Sequence, residues 1–244
     1  MELSGQRVLV VGLGKSGLSA VRVLRKHGAH VIVNDLRDAA QLGDAAREAQ
    51  QLGAAFELGA HEPKLFTSVD RIVLSPGVPP LPAIEAADRA KIPVLSEVEL
   101  ASYFIRPAAT VIGITGTNGK STVTTLVGEM CQKTGRSTFV GGNLGTPFCD
   151  VAGTPAADGG YVVVELSSYQ LERVERLRVQ VGALLNITDD HLDRYSSFEA
   201  YAAAKARLFA CQRAGDAAVV PEGDALCERL AAAGPAAVAR FGGP

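Results

Sequence analysis

Apolar and polar positions along this chain follow two alternating rhythms. Short β-branched runs, continuous rather than alternating, are what strands buried on both faces of a parallel sheet require. Between them lie stretches where apolar residues recur every three to four positions, the spacing of a helix with one covered face. Arg7–Gly12 is the first such run, followed by a helix carrying Leu18, Val21 and Leu24 that stops at Gly28, and by a second strand at His30–Asn34. Strands near Ala54–Leu58, Arg71–Leu74 and Ile92–Leu95 alternate with helices near Asp38–Leu52, Pro82–Ala90 and Glu97–Tyr103. After Arg106-Pro107, which has the composition of a linker, the alternation resumes. Strands are expected from Val111, at Thr138–Val140, Tyr161–Val164, Val181–Asn186, Ala217–Val220 and Ala237–Phe241. Helices are expected at Ser121–Thr134 (apolar Val123, Leu126, Val127 and Met130), Ser197–Phe209 and Ala225–Ala232.

Strand–helix alternation predicts an α/β protein of two domains. Residues 1–106 are expected to form a Rossmann-like parallel sheet domain, and 107–244 a phosphate-loop α/β domain. Composition agrees: 244 residues, 47% hydrophobic and 20% charged, are ordinary for a soluble globular chain. A net charge of −2 gives no electrostatic case for nucleic acid or an anionic membrane surface. The four cysteines show no metal-ligand spacing, and no apolar run reaches a membrane span, so a cytoplasmic protein is expected.

Candidate chemistry sits at the strand ends. Val111–Thr122 (VIGITGTNGKST) runs from an apolar strand through glycines into Lys-Ser-Thr and a helix. Glycines let backbone N–H groups face a phosphate, and the helix N-terminus adds partial positive charge. Gly116, Thr117, Asn118, Gly119, Lys120, Ser121 and Thr122 are the expected ATP loop, with Lys120 on the β/γ-phosphates and the Ser121 hydroxyl on Mg²⁺. The spacing is irregular, since Gly113 stands one position early and Ile114 occupies the usual glycine site. A plain glycine-rich turn is the alternative.

Nearer the N-terminus, Gly12, Gly14 and Gly17 in a strand–helix turn, with Asp35 at the next strand's tip, form a dinucleotide-type fingerprint. NAD would be the default ligand, yet nothing downstream offers a hydride-transfer site; a tight turn that merely needs glycine is the other reading. Ser75-Pro76-Gly77 makes a rigid turn at a third strand edge. Asn143 lies among glycines, as in a ligand approach or an ordinary turn. Glu165 ends a buried strand, where a phosphate-loop domain carries its Mg²⁺-side acid. Asp189, Asp190, His191 and Asp193 crowd the end of another, which favours a metal or phosphate role. Lys205, among alanines on a helix, reads locally as a surface lysine.

Taken in order, ITGTNGKST, GGNLG, ELSSYQLE and NITDDHLDRY resemble the Mur ligase family of cell-wall amide-forming enzymes, from about Gly5 to the chain's end. With GLGKSGLS, Asp35 and SPG ahead of them, the resemblance is strongest to the branch that adds D-glutamate to UDP-N-acetylmuramoyl-L-alanine. It implies three domains, of which the central ATP-binding domain (107–244) is expected to be only partly present and the C-terminal acceptor domain absent here, and a fragment that binds substrate without turnover. It implies that the first domain holds uracil and diphosphate rather than NAD, through Gly14, Lys15, Ser16, Asp35 and Arg37, with Ser75, Pro76 and Gly77 nearby and Asn143 and His191 contributing from the second. Lys120, Glu165, His191 and Lys205 would be catalytic; Ser121, Glu165, His191 and Lys205, the last as a CO₂-derived carbamate, would hold two Mg²⁺. Lys15 and Leu36 depart from the residues common at those positions, which weakens side-chain contacts to uracil there. The expected protein is a monomer that takes ATP, UDP-N-acetylmuramoyl-L-alanine and D-glutamate, with no nucleic acid and no membrane insertion. Two rivals are a sister ligase with another amino-acid or polyglutamyl acceptor, and a nucleotide-binding regulatory module without turnover.

Overall fold

The computed structural model describes residues 1–143, 145–189 and 194–242 of the chain. It divides into two units, Met1–Tyr103 and Phe104–Pro244.

In unit 1 the strands are β1 (Arg7–Val11), β2 (His30–Asp35), β3 (Ala55–Leu58), β4 (Arg71–Leu74) and β5 (Val94–Ser96). They pair in parallel in the order β3-β2-β1-β4-β5. The order reverses at β1, so a crevice opens beyond its carboxyl end, between the tips of β2 and β4. β1 is central because Val8, Leu9, Val10 and Val11 are all fully buried, each stabilising by roughly 1.5–3 kcal/mol relative to exposure. Helix α1 (Lys15–Lys26) buries Leu18, Val21 and Leu24, as its period requires. The helix expected over 38–52 is two pieces, α2 (Ala39–Leu42) and α3 (Asp44–Gln51). Gly43 separates them, and Asp38 closes a capping box with Gln41 that completes the first piece on its own. Helices α4 (Pro63–Phe66), α5 (Pro82–Arg89) and α6 (Glu97–Ser102) complete the unit, with Phe66, Ile72, Ile84 and Leu9 in one core.

Unit 2 carries β6 (Thr110–Thr115), β7 (Thr138–Gly142), β8 (Tyr161–Glu165), β9 (Val181–Leu184), β10 (Ala217–Pro221) and β11 (Ala237–Phe241). All pairings are parallel, in the order β11-β10-β9-β6-β8-β7. Its helices are α7 (Lys120–Lys133), α8 (Pro155–Gly159), α9 (Ser168–Leu171), α10 (Phe198–Ala206) and α11 (Ala225–Ala232). Two sequence expectations need correction. The helix expected to Phe209 ends at Ala206, and residues 207–209 tighten into a 3₁₀ turn. On α7, Val123 and Val127 pack against the sheet, but Leu126 and Met130 are 49% and 64% exposed. The covered face of α7 is instead Thr124, Gly128 and Cys131, because Gly128 sits against Val140 with no room for a side chain.

Gly113 is also explained. It lies inside β6, level with Val164 and Gly182, and a Cβ there would meet Leu208 Cδ1 and Val179 Cγ1, each at 2.8 Å. It is a packing glycine of the sheet. The loop proper begins at Gly116.

Candidate functional site

The site of unit 2 is assembled from three neighbouring strand tips. β6 delivers residues 116–119, and Gly119, in a left-handed conformation (φ +82°), turns the chain into α7. No side chain caps that helix start, so the N–H groups of its first turn face outward. Lys120 folds back, its Nζ donating to Thr117 O at 2.8 Å.

β8 brings Glu165 to the level of Ile114 and Gly142. The carboxylate is 1% exposed and has two donors: Ser121 Oγ to Oε2 and Asn143 Nδ2 to Oε1, both at 2.8 Å. Gly142 makes this possible, for a Cβ there would sit 2.3 Å from Glu165 O. Asn143 N also donates to that carbonyl, at 2.9 Å. The carboxamide expected to approach a ligand therefore orients the acid.

β9 supplies a residue whose role its sequence position did not reveal. Asn186 Oδ1 accepts from the backbone N–H of Thr117 (3.1 Å) and Asn118 (2.8 Å), and its Nδ2 donates to Asn118 O (3.1 Å). Two amides of the expected phosphate cradle are thus directed at Asn186. The only signal was a carboxamide at the end of a buried run, and many turns share that.

Lys205 corrects the local reading of a surface lysine. It is 2% exposed, its Nζ donates to Gly116 O at 2.7 Å, and the Tyr201 ring lies 4.6 Å from that nitrogen. Tyr201 OH is in turn 3.2 Å from Thr117 Oγ1. The helix places Lys205 under the loop because its apolar face (Tyr201, Ala202, Ala204) turns inward together with Lys205. His191, Asp190 and Asp193 lie outside the described residues, and Asp189 is exposed. Among the described residues no group of three or more His, Cys, Asp or Glu is assembled for a metal. The oxygen-rich pair of Ser121 and Glu165, one hydroxyl and one buried carboxylate, suits a hard divalent cation such as Mg²⁺.

The crevice of unit 1 is built by the same kind of strand-tip contact. Asp35 Oδ2 accepts from Leu13 N at 2.8 Å, pinning the turn after β1. Arg37 closes on both carboxylate oxygens, through Nε (3.0 Å) and Nη2 (2.8 Å), and adds its own backbone N–H at 3.0 Å. Burial pushes the Asp35 carboxyl up, but these bonds outweigh it and hold the group down at about 2. Ser75 Oγ donates to Gly12 O at 2.6 Å and ties the β4 tip to the same turn. Gly14 and Lys15 are exposed and Ser16 half-buried at the start of α1, while Pro76 and Gly77 follow Ser75 beyond the β4 tip. Leu36, 61% exposed, points away from the core. These contacts tie the turns after β1, β2 and β4 together at one edge of the sheet.

Comparison with known proteins agrees with both units. Residues 114–242 match the Mur ligase middle domain, and residues 6–96 the Mur ligase MurD-like N-terminal domain. UDP-N-acetylmuramoylalanine--D-glutamate ligase of Geobacter sp. (strain M21) is 50% identical over 227 residues, covering 93% of this chain and 50% of that protein. The protein of the same name from Myxococcus xanthus is 50% identical over 242 residues, covering 99% and 53%. The chain therefore spans about half the length of the curated relatives it matches. Among solved structures, the UDP-N-acetylmuramate:L-alanyl-gamma-D-glutamyl-meso-diaminopimelate ligase from Neisseria meningitides superposes with a TM-score of 0.63 at 17% identity, over 98% of this chain and 79% of that one. That likeness establishes the fold. No helix among the described residues is long and apolar enough to cross a membrane.

Proposed function

The chain belongs to the Mur ligase family, and from that premise we propose that it carries the nucleotide-sugar and ATP sites of a ligase joining D-glutamate to UDP-N-acetylmuramoyl-L-alanine. The observation that carries this reading is the join of Ser121, Glu165 and Asn143 beside the 116–119 loop. A phosphate loop with a buried acid on its helix serine is suited to a magnesium nucleotide. The acceptor identity draws on the two half-identical relatives that carry that name.

The reaction is carboxylate activation. A carboxylate oxygen of the UDP-linked alanine attacks the γ-phosphorus of ATP and the bond to ADP breaks, leaving an acyl phosphate. The amine of D-glutamate then attacks the acyl carbon, phosphate departs, and the amine loses a proton. Two anions must meet in the first step, so the work is electrostatic. Lys120 exchanges Thr117 O for phosphate oxygens, and the N–H groups of the first turn of α7 receive the same anion. Ser121 and Glu165 would hold Mg²⁺, which when bound neutralises phosphate charge. Asn143 holds the acid in one orientation. In unit 1 the amides at the start of α1 and the Lys15 ammonium suit a diphosphate, beside the Asp35–Arg37 pair.

Lys205 has a buried nitrogen directed at the loop. In this reading its neutral amine adds CO₂ and releases a proton, giving a carbamate whose oxygens would be available to a divalent cation held by Ser121 and Glu165. His191 would be a further metal and substrate contact. Calorimetric titration with UDP-N-acetylmuramoyl-L-alanine tests the first half, and a folded chain giving no heat refutes it. With ¹³C-bicarbonate, a carbamate resonance lost in Lys205→Arg is expected; its absence from the wild type refutes the modification.

A further inference from the structure

A histidine that no motif picks out is fastened to the crevice of unit 1. Asn34 is fully buried, and its Nδ2 donates to Glu57 O (2.6 Å) and Ala60 O (2.8 Å). Its Oδ1 is therefore an acceptor, and it lies 2.5 Å from His61 Nδ1, which assigns the ring proton to that nitrogen. Phe66 packs against the ring edge-on, with centroids 6.1 Å apart. Nε2 is left as the ring's uncommitted polar atom among the described residues, on a side chain only partly buried. Burial pushes the imidazole's pKa down and the Asp35 carboxylate pushes it up; burial prevails, which favours the neutral ring with an Nε2 lone pair.

Position gives that lone pair a use. Gly59 N donates to Asp35 O at 2.9 Å, so the turn that carries His61 is joined to the β2 tip. In a parallel sheet of this order, phosphates sit at the β1 turn and the nucleoside extends over the β2 tip. Both Asp35 oxygens are already engaged by Leu13 and Arg37, so a nucleoside's donors need another acceptor.

We propose that His61 is a further recognition residue of this site, its Nε2 accepting a hydrogen bond from the ring N3–H or the ribose 2′-hydroxyl of the bound uridine nucleotide. The inference rests on the uridine reading above. Where the donor is the ring N3–H, the contact also supplies selectivity, since cytosine has only an acceptor at that position.

Two substitutions separate recognition from mere tethering. In His61→Asn the amide nitrogen takes the place of Nδ1, keeping the bond to Asn34 and removing Nε2; in His61→Gln it is the outer position that is retained. Calorimetry of the chain with UDP is expected to show roughly 5- to 10-fold weaker binding for His61→Asn, the range of one hydrogen bond, at an unchanged urea midpoint, with His61→Gln closer to wild type. N3-methyl-UDP and 2′-deoxy-UDP identify the donor, since the analogue lacking it binds wild type and His61→Asn equally. If His61→Asn binds UDP as tightly as wild type, or if neither analogue closes the gap, the inference is overturned. Should wild type bind no UDP, the uridine reading itself falls and this one with it. Should His61→Asn not fold, the wild-type imidazole ¹⁵N spectrum decides: Nε2 is expected to shift on saturation with UDP, and an unmoved resonance overturns the proposal.

Discussion

Asn186 and Asp35 do the same job with different charge. Each sits at the tip of a strand beside the first strand of its sheet, and each accepts loop N–H groups on a side-chain oxygen. Only Asp35 also holds an arginine. Replacing Asn186 with alanine removes its three side-chain bonds to the loop, and at about 0.5–1.5 kcal/mol each some 1.5–4.5 kcal/mol of stability should go. Urea unfolding measures this, and a loss under about 0.5 kcal/mol would show that water replaces the clamp. Asp35 makes stability depend on pH. Its carboxyl is at about 2 in the folded chain against an ordinary 3.8, so its contribution is complete above the ordinary value and is lost as pH falls toward the folded one. The stability gap between wild type and Asp35→Asn should therefore be widest above about pH 5 and narrow steadily below about pH 4. A gap independent of pH would mean that the pair with Arg37 does not persist in solution.

At the scale of elements, the strands were legible because continuous β-branched runs leave few other ways to bury themselves. What a run of letters could not show is what faces it. The break at Gly43 depends on a cap closed by Gln41, three residues from Asp38, and the stretch also reads as one uninterrupted helix. Leu126 and Met130 keep a helical spacing, yet the close approach of Gly128 to Val140 rotates α7 away from the face they suggest. Lys205 is hidden because its burial comes from the loop at Gly116 and the Tyr201 ring, and its neighbouring alanines suit a buried helix as well as an exposed one. Gly113 is the sharpest case: as a loop residue it spoils the motif, and as a strand residue it admits Leu208 and Val179. Gly113→Ala should cost about 1–3 kcal/mol through overpacking, read from the urea midpoint. A neutral result would return Gly113 to the loop.

For the whole molecule, each unit has its own parallel sheet and its own buried cluster. Residues 1–103 should therefore fold alone, with a single cooperative urea transition and retained UDP binding. A fragment with no transition would show that unit 1 depends on unit 2. Amide exchange on the chain should separate the ligands: UDP slows exchange around 12–17 and 35–37, while magnesium ATP slows it around 119–123. ATP protection confined to unit 1 would reverse the assignment of the two sites.

The Asn186 clamp has a thermodynamic consequence beyond holding the loop. Residues 117 and 118 are ordered when the strands pair, so their conformational entropy is lost during folding and none remains to be lost when nucleotide arrives. Nucleotide association should then carry little heat-capacity change and little entropic opposition from this segment. Releasing the loop in Asn186→Ala would move that ordering into the binding event, so the variant's binding enthalpy and entropy should change together by far more than its affinity does.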